Sequence, residues 1–563
     1  MHNPTIKLHL HDIFTAPAIS GDDNGIGIRI SKSLISDAIE KVHSSAVNMI
    51  FDGSGHTLPR MPEIDLIATN KTKFWQFGAI FEDEGTIAGT YGVHQSIFLD
   101  QLRLFAADKP TDLDDFASRL WLVHGDSLTA HHNRVVKAEQ VRAGRPYDRR
   151  DWLLGLPAWF HIQMNLLNTI VRTHFGPTQI GQEAHHCIEA DITTWGRSSM
   201  NRKNIKYHLL EPIVAQGFTA RVLALFYTAM RRRGYLKDVG DLSFERPDEM
   251  DKIINNLSPT AYLQLVDDVR LSAFTLTAWK GVDPENKQPI ADIEFRTMCR
   301  MLQEVELFLT MRHAIKHGDI GLLRYLVDPL IIHFLGTSQY NYGYEMLFYR
   351  WNLSPVNTPE LQRAILASGL VNWQGKSTTN KPIDLGLEHL NGNCKIEMKC
   401  YKNSTHDISI IFDRVCLSNT WVRALREKLE DSFGESMPGT HTTAPTLLEI
   451  FFLARNLFLG DLAEPRSAER LAGHSRVFDS DDILQIGMDK LAEKVEYFNS
   501  HYVYRPGIGT RVGHDNLSSA PDADINTAEY ANIIDERFDG ITDPTADPQS
   551  ASLEVCLKFY FSI

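Results

Sequence analysis

Lys381–Lys402 reads KPIDLGLEHLNGNCKIEMKCYK, and its polar and apolar residues both recur at the spacing of a helix. One predicted face carries four polar residues: Asp384, Glu388, Asn391 and Lys395. The adjacent face carries five apolar residues: Ile383, Leu387, Leu390, Cys394 and Met398. Pro382 suits the first helical turn, where no backbone N–H is needed. The pattern predicts a helix that docks through its apolar face and presents a carboxylate beside that contact. An ordinary amphipathic helix with a solvated polar face has the same pattern.

Composition limits the class of protein. With 563 residues the chain is too long for one core, so several domains or a large insertion are expected. The sequence contains no run of 18 apolar residues, so no membrane span is predicted. Its first residues, MHNPTIKLHLHDIF, lack the features of a signal peptide. The six cysteines are scattered, which indicates a reducing compartment. The net charge of −14 does not favour nucleic-acid binding, although a local basic groove is compatible with it.

Strand patterns occur mainly in the first 200 residues. Residues 6–14 alternate apolar and polar side chains, which predicts a strand that carries Asp12 near its end. Residues 46–51 and 120–123 are short apolar runs, and the second is followed by His124, Gly125 and Asp126. Residues 157–160 predict a strand that passes into a helix from about His161.

The rest of the chain predicts helices and a loop-rich tail. Residues 205–370 have helical patterns with few strand signals, most clearly at 219–231, 259–277, 292–316 and 320–336. Residues 408–430 and 446–460 also predict helices, and from 503 onward loop residues dominate. The basic run Met230–Arg233 is interpreted as a solvated helix end.

Three carboxylates stand where two-metal phosphodiester chemistry would need them. Asp12 and Asp126 lie at predicted strand ends, and Glu388 lies on the amphipathic helix. Carboxylates of this kind hold two divalent ions that activate the attacking oxygen and stabilise the leaving one, and Mg²⁺ prefers such oxygen ligands. Glu388 follows Asp126 by 388 − 126 = 262 residues, so the helical block between them is predicted to be an insertion.

Several segments resemble a family of eukaryotic proteins related to mobile elements and abundant in fungal genomes, which is similar to DDE-type transposases. The similarity covers about residues 5–430, and its most specific part is DLGLEHLNGNCK, which matches the family's Asp-Leu-x-x-Glu-His-x-Asn-x-x-x-Lys motif. The other matching segments are GDSLT at 125–129, PAWFHIQMN at 157–165, HGDIGLL at 317–323, NYGYEML at 341–347 and NST at 403–405.

The resemblance implies a magnesium-dependent, DNA-cleaving or strand-transferring protein of the nucleus, which could form homo-oligomers. In that interpretation Asp12, Asp126 and Glu388 bind two Mg²⁺ ions, and His161 hydrogen-bonds near the scissile phosphate. Asn391 and Lys395 would contact the DNA backbone. The Asp12 segment keeps the family's Asp but lacks both of its Asn residues.

The implied architecture is an α/β fold: a ribonuclease H-like mixed sheet interrupted by a large all-helical insertion, with further helices after it. The predicted parts are the core at 1–200, the insertion at 201–375, the returning Glu388 helix at 376–430, C-terminal helices at 431–502 and the tail at 503–563.

Two other functions remain open. The altered Asp12 segment and the acidic composition are also expected of a decayed or domesticated remnant that only binds nucleic acid or protein. An unrelated metallohydrolase is suggested by two histidine pairs, His131-His132 and His185-His186. Adjacent histidines diverge on either a strand or a helix, and neither pair has the spacing of a zinc-binding H-E-x-x-H motif.

Overall fold

A computed structural model describes most of the first 500 residues of the chain. The described residues are 7–10, 13, 25–74, 77, 78, 80, 82–102, 111–177, 185–197, 207–236, 245–282, 292–389, 425, 445–465 and 478–502. They are mostly helical, with two short pairs of strands. The fold therefore contains both helices and strands, as predicted, but helices dominate it.

Helices and strands alternate only in the first part of the chain. In chain order, the first half contains α1 (Ile26–Phe51), α2 (Ile87–Gln95), α3 (Thr111–Ala117), β1 (Trp121–Gly125), α4 (Ser127–Glu139), β2 (Leu153–Pro157), α5 (Trp159–His174), α6 (Ile188–Thr194), α7 (Tyr207–Arg232), α8 (Pro247–Ile254) and α9 (Pro259–Ala273). The second half contains α10 (Leu276–Trp279), α11 (Ile293–His317), α12 (Ile320–Gly336), α13 (Tyr340–Asn352), α14 (Pro359–Ser368), β3 (Leu370–Val371), β4 (Lys381–Pro382), α15 (Leu447–Leu459) and α16 (Ile483–His501). Residues 383–389 are also helical.

The strands β1 and β2 form a parallel pair, with Trp121 opposite Leu153 and Gly125 opposite Pro157. Helix α4 connects them and packs against both, which is the crossover that parallel strands require. Every residue of β2 is buried. Both strands therefore end at the same edge, and the residues that follow them, Asp126 and α5, are brought together there.

The helical block packs on the same apolar core as the first part of the chain. One continuous cluster of buried side chains draws on α1, α5, α7, α11, α12 and α15. Helix α7 is long and apolar enough to cross a membrane by length and composition, but 78% of its most apolar window is buried inside the protein. Its burial identifies it as a central helix of this core.

Several helix predictions are confirmed. The predicted helices at 259–277, 292–316, 320–336 and 446–460 correspond to α9 with α10, α11, α12 and α15. The basic run at the end of α7 is salt-bridged rather than simply solvated, since Arg231 contacts Asp461 and Arg233 contacts Asp268.

Three strand predictions are wrong in whole or in part. Residues 46–51 are the last turns of α1, where Ala46, Val47 and Ile50 provide the buried face of a helix. In the predicted strand at 6–14, Leu10 and Ile13 are helical, and Leu10 is exposed although strict alternation would bury it. The predicted strand at 157–160 lies earlier, at Leu153–Pro157, and the helix starts at Trp159.

A half-buried carboxyl in the helical block, that of Glu306, predicts a pH-dependent stability. Burial raises the pKa of Glu306 to about 7, although a 2.5 Å hydrogen bond from Ser31 Oγ opposes the shift. Because the folded protein holds a proton that the unfolded chain has released, stability should fall as the pH rises from about 4.5 to 7. Glu306→Gln should remove this fall and stabilise the protein at pH 8 by on the order of 1–3 kcal/mol.

Urea unfolding at pH 5 and pH 8 measures this effect. Glu493→Gln, which changes an exposed carboxyl, should keep the pH dependence of the unaltered protein. If Glu306→Gln also keeps it, Glu306 does not hold the extra proton.

Candidate functional site

The corner between β1 and α4 explains the GDSLT segment. The carboxylate of Asp126 caps α4 by accepting a 2.7 Å hydrogen bond from the Thr129 backbone N–H. A Cβ on Gly125 would lie 2.6 Å from Thr129 Cγ2, so only glycine allows this close approach. Glycine, capping aspartate and threonine are therefore one structural unit that fixes Asp126 at the strand edge.

The start of α5 holds His161 beside that corner. His161 and Asp384 are both buried, and His161 Nδ1 lies 2.7 Å from Asp384 Oδ2. The same carboxylate accepts backbone hydrogen bonds from Phe160 and His161, each 3.1 Å long. Asp384 thus caps the first turn of α5 and orients the imidazole, although 223 residues separate it from His161.

The charges around His161 bring three distant segments together. Burial lowers the pKa of His161, but the hydrogen bond and charge of Asp384, with the charges of Asp126 and Glu388, outweigh it. The net effect raises the pKa above its ordinary value. Asp126 and Glu388, which the sequence predicted to form one site with His161, therefore each lie within electrostatic reach of His161.

Helix α13 forms another wall of the site. Tyr342 is half-buried, and burial together with the charge of Asp126 raises the pKa of its hydroxyl. Glu345 is buried and forms a salt bridge with Arg134 of α4; its pKa is raised by burial, against the effect of Arg134. Tyr349 donates a 3.0 Å hydrogen bond to the carbonyl of Pro157, which ties α13 to the end of β2.

The described residues alone do not complete a metal centre. Among them, no group of three or more His, Cys, Asp or Glu side chains is placed to hold a metal ion. Asp126 and Glu388 make the surroundings of His161 negative, which suits a cation, but a third ligand would have to come from elsewhere. Asp12, the predicted third ligand, lies outside the described residues, as do Asn391 and Lys395.

The histidine pairs considered for zinc serve local structure. His132 Nδ1 lies 3.0 Å from the carbonyl of Glu84, and His185 Nδ1 lies 2.9 Å from a carboxylate oxygen of Glu294. His186 Nε2 contacts the carbonyl of Leu462 at 2.9 Å, and burial lowers the pKa of His186 to about 3.

Sequence reasoning missed three residues of the site. Asp384 is on the predicted polar face, four residues before Glu388, but it was not assigned a role. Tyr342 and Glu345 lie in the NYGYEML segment, whose place in the fold was not predicted. The family-like segments could have pointed to these residues, because four of them meet at this site: GDSLT, PAWFHIQMN, NYGYEML and DLGLE. The segment HGDIGLL instead forms the corner between α11 and α12.

Comparison with known proteins identifies a family. Residues 28–441 match the model of a family described as a family of unknown function, DUF6589. No curated protein and no solved structure matches the chain. Asp126, His161, Asp384 and Glu388 lie inside the matched range, and Asp12 lies before it.

Proposed function

We infer from the site geometry that this chain, which belongs to the family of unknown function DUF6589, is a transposase-like protein that cleaves or transfers strands of DNA. The observation that carries the proposal is the convergence of Asp126, Glu388 and the Asp384-bound His161 at the ends of two parallel strands. Two-metal phosphodiester chemistry needs negative groups that hold the cations, and a positive donor that faces the phosphate adds stabilisation of the developing charge.

His161 fits the role of the positive donor. Asp384 accepts from Nδ1 and fixes the orientation of the imidazole, which in its protonated form carries a positive charge that attracts a phosphate. The raised pKa of His161 favours this protonated form near neutral pH. Glu388 and Asp126 would hold Mg²⁺ together with Asp12 or another ligand, and the metal would supply activation of the attacking oxygen.

The ribonuclease H-like core belongs to the same proposal. A parallel β1–α4–β2 unit with an aspartate directly after its first strand is compatible with the part of such a core that carries the second carboxylate. The second supporting feature is Glu388, a carboxylate on the helix at 383–389 that follows the helical block. In this interpretation further strands from outside the described residues would complete the sheet.

A binding module without catalysis is the second candidate. It is favoured by the lack of a three-ligand group among the described residues and by the use of Asp126 as a helix cap. Such a remnant would retain the fold and the buried His161–Asp384 pair for stability.

Cleavage of labelled DNA with Mg²⁺ tests the proposal. Asp126→Asn and Glu388→Gln should each abolish magnesium-dependent cleavage, because each removes a charge that the reaction needs. Asp148→Asn, which alters a half-buried carboxylate paired with Arg145, is the matched control and should cleave normally. Cleavage that survives in both site variants would refute the assigned roles, and DNA binding without any cleavage by the unaltered protein would favour the binding module.

A further inference from the structure

A group of lysines lies on one surface formed by two distant segments. Residues 71–74 run beside the turn at 372–381: the backbone N–H of Thr72 donates to the carbonyl of Asn372, and the N–H of Asn372 donates to Thr72 Oγ1, both at 2.8 Å. A Cβ on Gly375 would lie 3.0 Å from the Cβ of Lys71, so the segments touch. We call this the lysine–aromatic surface, formed by Lys71, Lys73, Phe74, Trp373, Lys376 and Lys381.

The turn that carries Lys376 is held in one conformation. Asn372 Oδ1 accepts hydrogen bonds from Gly375 N and Thr379 Oγ1, and Asn372 Nδ2 donates to the carbonyl of Lys376, all at 2.8 Å. Thr378 has a φ of 63°, an unfavourable value for a β-branched residue, which the surrounding bonds must offset. A fixed turn leaves the backbone at Lys376 with little entropy to lose on binding.

Two aromatic rings lie among these lysines. The rings of Phe74 and Trp373 are 5.9 Å apart at an angle of 36°, and Lys381 Nζ lies 5.9 Å from the centre of the Trp373 ring. Both aromatic side chains are half-buried, so each keeps part of its surface exposed. A Cβ on Gly386 would lie 3.0 Å from the Trp373 ring, which places the tryptophan against the helix that carries Asp384 and Glu388.

Charge is segregated at this surface. The chain as a whole has 71 acidic and 57 basic residues, yet neither residues 66–80 nor residues 361–383 contain an Asp or a Glu. Lys71, Lys73 and Lys376 are exposed, and within the part of the chain that the structure describes none of them forms an ion pair. Nearby Asp65 is engaged by Arg363. The surface is therefore locally positive on an acidic protein.

We propose that the lysine–aromatic surface binds a single-stranded segment of nucleic acid, with the lysines on its phosphates and Trp373 and Phe74 against its bases. Lysines combined with exposed aromatic faces are the usual means of holding single strands without sequence preference. The choice of a nucleic acid as the partner rests on the proposed function. Binding at this surface, however, does not require the Asp126–Glu388 site to be active. Because β4 leads directly into the 383–389 helix, a bound strand would run beside the Asp126–Glu388 site.

Fluorescence anisotropy with a labelled oligothymidylate tests the proposal. The triple variant Lys71→Gln, Lys73→Gln, Lys376→Gln should bind more than 10-fold more weakly at about 100 mM salt. It should also reduce the slope of log affinity against log salt by about 2, since each phosphate contact contributes about 0.7. The matched control removes the same charge from three other exposed lysines and should bind normally. It is the triple variant Lys41→Gln, Lys252→Gln, Lys280→Gln.

The outcomes separate this proposal from the proposed function. Asp126→Asn with Glu388→Gln should bind the oligothymidylate as well as the unaltered protein does, even if cleavage is lost or was never present. Equal weakening in both lysine triples would mean that only net charge matters and would overturn the proposal. So would tighter binding of a duplex than of the single strand, or no binding by the unaltered protein. Unchanged circular dichroism and Tm must accompany each triple variant.

Discussion

Replacing Asp384 by Asn should strongly destabilise the protein and uncouple its stability from the protonation of His161. The carboxylate accepts three hydrogen bonds, from two backbone N–H groups and from the imidazole. The side-chain amide of the Asp384→Asn variant has only one acceptor oxygen. Its NH₂ group would therefore face at least one of these three donors. Loss of one partner from a buried ion pair typically costs about 3–5 kcal/mol, and chemical denaturation measures that loss.

The pH dependence gives a more specific signature. His161 has a raised pKa in the folded protein, so its contribution is fully present below the ordinary histidine pKa of about 6.5 and is lost as the pH rises through the folded value. In Asp384→Asn, burial would dominate and lower the pKa. The difference in stability between the two proteins should therefore be largest at about pH 5–6 and smaller at pH 9.

A double-mutant cycle with His161→Gln separates the imidazole from the backbone contacts. In the His161→Gln background, Asp384→Asn should cost less than it does alone, and the remaining cost should be independent of pH between about 5 and 9. Equal costs in the two backgrounds would show that Asp384 acts only as a cap for α5. His161→Gln by itself should also weaken any Mg²⁺-dependent cleavage without abolishing binding of DNA.

The local geometry of the site was largely predictable from the sequence. Leu120–Val123 followed by His-Gly-Asp predicts a buried strand that ends at a carboxylate, and β1 with Asp126 at its end confirms it. The helix predicted over Lys381–Lys402 is present at 383–389, but the prediction that Pro382 lies in its first turn is wrong, since Lys381 and Pro382 pair with β3. These features depend on neighbouring residues, so periodicity and capping rules can find them.

The long-range contacts were less predictable. The apolar residues of 46–51 suit either a strand or a buried helix, and only the packing of α1 as a whole against α7 and α8 decides for the helix. Asp384 and His161 are 223 residues apart, and no local pattern shows that they meet. Glu388 was identified because a motif suggested it, whereas Tyr342 and Glu345 became visible only when α13 was placed beside α4.

Replacing Arg221 by Met should be among the most destabilising changes in the helical core. Arg221 of α7 and Asp191 of α6 are fully buried and share two hydrogen bonds of 2.7 and 3.0 Å. Arg221 also donates to the carbonyl of Gly217 at 3.1 Å. Without the guanidinium, Asp191 would remain buried beside apolar side chains, which typically costs about 3–5 kcal/mol. Thermal and urea unfolding measure the loss.

The response to pH identifies the cause of that loss. Burial already raises the pKa of Asp191 against the opposing charge and hydrogen bonds of Arg221, so removing Arg221 should raise it further. The folded variant would then bind a proton that the unfolded chain releases, and its stability should rise as the pH falls toward about 5. Arg119→Met, which breaks the exposed pair with Asp115, is the matched control and should change little.

Removing both charges distinguishes net stabilisation from the cost of an unpaired charge. Asp191→Ala combined with Arg221→Met leaves no buried ion, so the double variant should be more stable than Arg221→Met alone. If the double variant is as unstable as the single one, the loss comes from the packing of the long Arg221 side chain and not from Asp191. If the stability of the double variant approaches that of the unaltered protein, the ion pair adds little net stability. Its main role is then to fix how α6 docks on α7, because every arrangement that separates the two buried charges is penalised.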